Sequence, residues 1–184
     1  MFDGSLRWLV CQAGRHVEHD SGYYFVQPRH LIAFTTLPGE GCEPANFGLC
    51  RYPASITVDS KSARPRKCKV GIKLGGWTWA SFCKTQYASN PELGGVQNFL
   101  QCHLLVIALL DRAKVLGVLD AVHDEGGYWE HRDVSALGKE VGHWNALMAG
   151  FAGRLKDLIG DEVAVAITKF PNFEHLEAEG RAGE

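Results

Sequence analysis

Eight apolar residues recur at spacings of three and four along one stretch: Val134, Leu137, Val141, Trp144, Met148, Phe151, Leu155 and Leu158. A strand alternates every two residues, so this period specifies a long helix with one apolar side to bury. Asp133 suits the cap at its start and Gly160 the stop at its end. A second row rides on the same helix, made of Gly138, Gly142, Ala146, Ala149 and Gly153. Glycine in a helix costs about 1 kcal/mol against alanine. Several together therefore imply that another backbone approaches closely. The expected partner is either the helix over 96–117 or a second copy of this helix, which would make a homodimer.

The preceding helical stretch starts after Asn90-Pro91, with the double glycine at 94 and 95 delaying its first turn, and ends at Gly117. Val96, Leu100, His103, Ile107 and Leu110 fall on one face, flanked by Phe99 and Val106, so burial on most sides is expected. Residues 1–88 have a different texture. "LRWLVCQA", "GYYFVQPRHLIAFTTL" broken at Pro28, "ANFGLCRYP", "SITVDS" and "CKVGIKL" read as short strands between Gly, Pro and Asp turn signals. "VAVAIT" (163–168) reads as one more strand, followed by a tail that docks two aromatics and then frays. The expected fold is a single α+β domain over 1–184. A mostly antiparallel sheet from the N-terminal half packs against two long C-terminal helices.

Composition excludes several classes. With 22% charged and 46% hydrophobic residues the chain has globular proportions, and 184 residues suffice for one substantial core. The formal charge of −2 provides no global field for nucleic acid, and the local basic run "KSARPRKCK" lacks interleaved aromatics. No apolar run reaches membrane-spanning length. The first residues lack the parts of a signal peptide, and the six cysteines form no C-x-x-C pair. Reduced thiols in a cytoplasmic protein are expected.

The chemistry-bearing residue types gather in two places. In "GGWTWASFCKTQYAS" (75–89), an extended chain puts Trp77, Trp79, Ser81, Cys83, Thr85 and Tyr87 on one face. Cys83 is the candidate nucleophile there, and Trp77, Trp79, Lys84, Gln86 and Tyr87 are candidate ligand contacts, against the alternative of an aromatic core strand. A cysteine nucleophile needs a base. His103, set in an apolar helix face, is the first candidate, against the plainer reading of a satisfied buried histidine. The second place is "AVHDEGGYWEHRD" (121–133), where Asp124, Glu125 and Glu130 surround a Gly-Gly turn with Trp129. Glu125 is the candidate acid–base carboxylate, and Asp124, Trp129 and Glu130 are candidate ligand contacts. The loop "LPGEGCEPANFG" (37–48) is a candidate binding loop.

Neither "HDE" nor "EVGHWN" has the spacing of a familiar metal motif, and "RHVEH" (15–19) spoils a chelate if it is a strand. No metal is therefore expected. No dinucleotide fingerprint, phosphate loop or G-x-S-x-G is present, so the cofactor is left unspecified. The run "GWTWASFCKTQYASNPELGGVQNFLQCHL", with "DEGGYWEHRD", "EVGHWNALMAGFAGRLKD", "FPNFEHLE" and "GCEPANFGLCRYP", resembles a group of uncharacterised bacterial proteins. That resemblance implies a bacterial, cytoplasmic origin and brings no catalytic residues. Two functions follow as expectations. One is a small-molecule site lined by aromatics, Cys/His and carboxylates. The other is a non-enzymatic module that dimerises or docks a partner through the glycine–alanine helix face.

Overall fold

The computed structural model describes residues 13–19, 22–59, 66–160, 162 and 164–183. The architecture is α+β, with small antiparallel strand pairs and several helices. The chain forms two compact units. The first comprises Met1–Thr36 and Ala45–Phe82, the second Leu37–Pro44 and Cys83–Glu184. The expected first strand, "LRWLVCQA", lies almost wholly outside the described residues, as do residues 61–65 of the basic run.

Among the described residues of the first unit six strands pair as three antiparallel ribbons, where one continuous sheet was expected. β1 (Arg15–His19) pairs with β2 (Gly22–Val26), β3 (His30–Thr36) with β4 (Ala45–Arg51), and β5 (Ser55–Asp59) with β6 (Lys67–Gly71). Proline has no N–H to give a ladder, and Pro28 and Pro53 stand in the links between successive ribbons. Alternation puts one side of each ribbon inward. Ala13, Val26, Cys50, Tyr52 and Ile72 form the buried cluster, with Val17, Leu31, Ile56, Leu74 and Trp79 packed around it. On the other side of the middle ribbon Phe34 stacks on its cross-strand partner Phe47, ring centroids 5.4 Å apart. The Tyr52 hydroxyl donates to the Ala13 carbonyl, which ties the ribbons together.

The second unit is helical. Asn90 caps a 3-10 turn at Pro91–Leu93 by accepting from the Glu92 N–H at 3.1 Å, and Gly94 and Gly95 both have positive φ. The regular helix α1 then runs Gly95–Val115, delayed by one turn as the double glycine predicts. It buries Phe99, Cys102 and Ile107. A short turn of helix, α2 (Tyr128–His131), precedes α3 (Val134–Ile159), whose start is capped by Asp133 accepting from Ala136 N–H at 3.0 Å. Leu137 and Val141 join Ala88, Phe99 and Cys102 in one core cluster.

Farther along α3 the buried positions leave the apolar stripe and move onto the small residues. Asn145, Ala149, Gly150, Ala152 and Gly153 are buried, while Phe151 and Leu158 are 58% and 79% exposed. The cause is a final helix, α4 (Phe173–Ala182), where a frayed tail was expected. A Cβ on Gly150 would stand 2.9 Å from the Gly180 backbone, and one on Gly180 only 1.9 Å from the Ala146 carbonyl oxygen. From Ala146 to Gly153 the small-residue row thus takes a backbone from its own chain, whereas Gly138 lies beside Val96 of α1 and a Cβ on Gly142 would meet nothing within 4 Å. Ala149, Ala152, Ile167, Phe170, Phe173 and Leu176 fill the seam. Arg181 closes its edge with Asp157 at 2.8 Å and Glu177 at 2.6 Å. The expected strand at 163–168 is also corrected. Ala166–Lys169 is a 3-10 turn that buries Ile167 against this seam, and Val163 lies outside the described residues.

Candidate functional site

The 75–89 stretch is not one extended strand. Only Thr78 makes a bridge, to Cys50, and Gln86–Ser89 coils into a 3-10 turn. The boundary between the two units falls inside it, after Phe82. Trp77 and Trp79 therefore belong to the first unit. Trp79 gives its indole N–H to the Asn46 carbonyl at 3.1 Å, and Trp77 is 48% exposed. Cys83, Lys84, Gln86 and Tyr87 belong to the second unit.

There the surroundings of Cys83 disfavour the thiolate. Its thiol donates to the Glu43 carbonyl at 3.1 Å. Burial pushes its pKa up, aided by the charge of Glu43 and by Cys102, to about 11. Nor is His103 its base, because both imidazole nitrogens are engaged elsewhere. Gln86 spends its amide on Asn145 at 3.2 Å, and Asn145 donates in turn to Ser89 Oγ at 2.8 Å, a buried network between the 3-10 turn and α3. Tyr87 packs on the α3–α4 seam, and the Lys84 backbone N–H donates to the Glu43 carboxylate at 3.2 Å.

What gathers around His103 is a hydroxyl and a carboxylate. His103 Nδ1 lies 3.1 Å from Thr85 Oγ1, and Nε2 lies 3.3 Å from Asp124 Oδ2. Thr85 is buried, and the His103 and Asp124 side chains are 13% and 7% exposed. Asp124 is fixed by a turn: its carboxylate accepts from Gly126 N–H at 3.0 Å and Trp129 N–H at 2.8 Å. A Cβ on Gly126 would stand 2.5 Å from Leu137 Cδ1, so the buried Leu137 side chain would have to shift to admit one. Phe99 and Tyr128 flank the imidazole, centroids at 5.5 and 6.3 Å.

Electrostatics settle which partner donates. Burial raises the Asp124 carboxyl pKa, but the bonds from His103, Trp129 N–H and Gly126 N–H outweigh it, and the net value falls to about 2. The carboxylate is thus an acceptor only, so Nε2 carries the proton it receives. A neutral ring then has a bare Nδ1, which accepts from the Thr85 hydroxyl. The result is a hydroxyl–imidazole–carboxylate chain, the arrangement in which an imidazole can take a proton from an alcohol.

Arg132 holds the 121–133 connection in place. Its guanidinium binds Asp111 on α1 through two bonds of 2.7 Å and stacks 4.8 Å from the Trp129 ring. It has φ +56°, a left-handed conformation rare without glycine, which ends α2. Glu125 and Glu130 are exposed, and of that acidic segment only Asp124 reaches His103. Thr85 is the residue that sequence reasoning passed over. The available signal for Asp124 was its place two residues before Gly126-Gly127, since Asp-x-Gly favours a turn closed by the carboxylate. The 37–44 loop is stitched down instead of standing free. Glu43 N–H donates to the Lys84 carbonyl at 2.9 Å, and Asn98 Nδ2 to the Glu40 carbonyl at 3.1 Å. Among the described residues no group of three or more histidine, cysteine or carboxylate side chains is placed to hold a metal ion. Likewise no described helix is long and apolar enough to cross a membrane. No family model, curated protein or solved structure matches the chain.

Proposed function

We propose that the second unit carries a small-molecule site whose chemistry is proton transfer at His103. In this reading Thr85 is the oxygen nucleophile, His103 the base that takes its proton, and Asp124 the group that fixes the imidazole and stabilises it once charged. The observation that carries it is the continuous chain from Thr85 Oγ1 through His103 to Asp124, set in an otherwise apolar helix face. An alcohol is a poor nucleophile without such a base. The substrate class that suits an activated hydroxyl is a small carbonyl electrophile. Self-association through the small-residue row is the weaker reading, because α4 already occupies Ala146–Gly153 of that row.

The test uses p-nitrophenyl acetate as an acyl probe. The expected result is nitrophenol release above buffer, with an acetyl group trapped on Thr85 in acid-quenched protein. Thr85→Val and His103→Gln should each lower the rate at least about a hundredfold, the usual scale for losing a positioned acid–base group. Release that is unchanged in both variants, with acetyl found only on lysines, would overturn the proposal.

A further inference from the structure

Three thiols converge in the second unit beside this chain. Cys42 lies in the 37–44 loop, Cys83 just after the unit boundary, and Cys102 on α1 next to His103. Cys42 packs on the buried cluster that contains Cys102, and the Cys102 and Cys83 thiols both push its pKa up, while Cys102 Sγ lies 3.7 Å from Asn98 Oδ1. The loop presses directly on Cys102, since a Cβ on Gly39 would stand 2.5 Å from its sulfur. Cys42 N–H donates back to the Gly39 carbonyl at 3.3 Å, which turns the loop there. Cys102 is 2% exposed and Cys42 half-buried, so an incoming reagent meets Cys42 first. Cys83 is instead bonded to the Glu43 carbonyl.

We propose that Cys42 and Cys102 are a redox-active dithiol, closed to a disulfide by a low-molecular-weight disulfide such as oxidised glutathione. The Cys42 thiolate attacks one sulfur of the small disulfide, forming a mixed disulfide and releasing one small thiol. The Cys102 thiolate then displaces the second small thiol and forms the Cys42–Cys102 bond. Two electrons pass from the protein sulfurs to the reagent, and the two protein protons leave on the two released thiols. The product ties the 37–44 loop covalently to α1, one residue before His103.

The environment sets the speed. Burial and the neighbouring Cys102 and Cys83 thiols push the Cys42 pKa up to about 12. Thiolate is therefore scarce at neutral pH, and closure is slow there. An ordinary thiol near pKa about 8.5 reaches its full thiolate fraction by about pH 10, whereas Cys42 does not. This inference stands apart from the proton-transfer reading, and neither depends on the other.

The experiment treats the reduced full-length chain with oxidised glutathione, alkylates it, and maps disulfides without reduction. The expected product is a Cys42–Cys102 peptide, reversed by dithiothreitol, whose rate of formation still rises about tenfold per pH unit between pH 9 and 10. Cys83→Ser should keep that link, and Cys102→Ala should leave glutathione on Cys42. A link from Cys83 to either partner, or a persistent glutathione adduct on Cys42 in the unaltered chain, would overturn the proposal.

Discussion

Gly180→Val is expected to unseat the C-terminal helix α4. At this position even the first side-chain carbon would stand 1.9 Å from the Ala146 carbonyl oxygen, a backbone atom that cannot swing aside. Two helices that cross on glycines can separate only as bodies, and that strips cover from Phe173 and Leu176, which bury on the seam. Overpacking a tight contact costs about 1–3 kcal/mol and sometimes more; with two apolar side chains uncovered, about 3 kcal/mol is expected here. The measurement is a thermal melt together with amide exchange. The melting midpoint should fall by several degrees, and protection over 173–182 should drop well before that of α1. Unchanged protection there would contradict the glycine-mediated crossing.

The second large effect is at Asp124. Asp124→Ala leaves Gly126 N–H, Trp129 N–H and His103 Nε2–H without their acceptor. Each buried donor left unpaired costs about 1–3 kcal/mol, so a total near 4 kcal/mol is expected, and Asp124→Asn should recover part of it. The acid limb of stability gives an independent reading. A carboxyl near about 2 in the folded chain, against an ordinary aspartate near about 3.9, binds its proton less readily when folded. The unfolded chain therefore takes up the proton first as pH falls. The contribution is full above about pH 5 and fades as pH drops through the folded value, about 2.5 kcal/mol in all. Urea titrations between pH 6 and 2.5 should show this loss in the unaltered chain and a flatter profile in Asp124→Asn.

Much of the fold was legible because local chemistry and tertiary demand agree. Asp133 caps α3, Asn90-Pro91 opens the 3-10 turn before α1, and Pro28 separates β2 from β3. Legibility ended where a distant partner decided. The apolar stripe of α3 predicts burial of Phe151 and Leu158, yet α4 buries Ala149 and Gly153 instead, because its backbone needs the space that small residues leave. Periodicity records which side of a helix is apolar; it does not record which side meets the closest neighbour. β2 to β6 were read individually and β1 was not, while the division into three ribbons depended on pairing that no local signal specifies.

The site followed the same logic. His103 was conspicuous as a polar residue within an apolar face, and Asp124 lay in the right segment. Cys83 drew attention by its reactivity as a residue type, but its thiol is bonded to the Glu43 carbonyl and its pKa is raised. Thr85 is chemically plain, and it matters only because the 83–89 segment folds back on α1 and sets its hydroxyl 3.1 Å from His103. Trp77 and Trp79 were grouped with Cys83 by adjacency, but the chain passes from one unit to the other between them.

The central claim is that Thr85 and Asp124 together fix the tautomer of His103, and nitrogen-15 NMR of the imidazole reads this directly. In neutral His103 the account predicts a proton on Nε2, held in slow exchange by Asp124, and a bare Nδ1 whose shift moves in Thr85→Val. A proton on Nδ1, or a ring averaging between tautomers as a solvent-exposed histidine does, would contradict it.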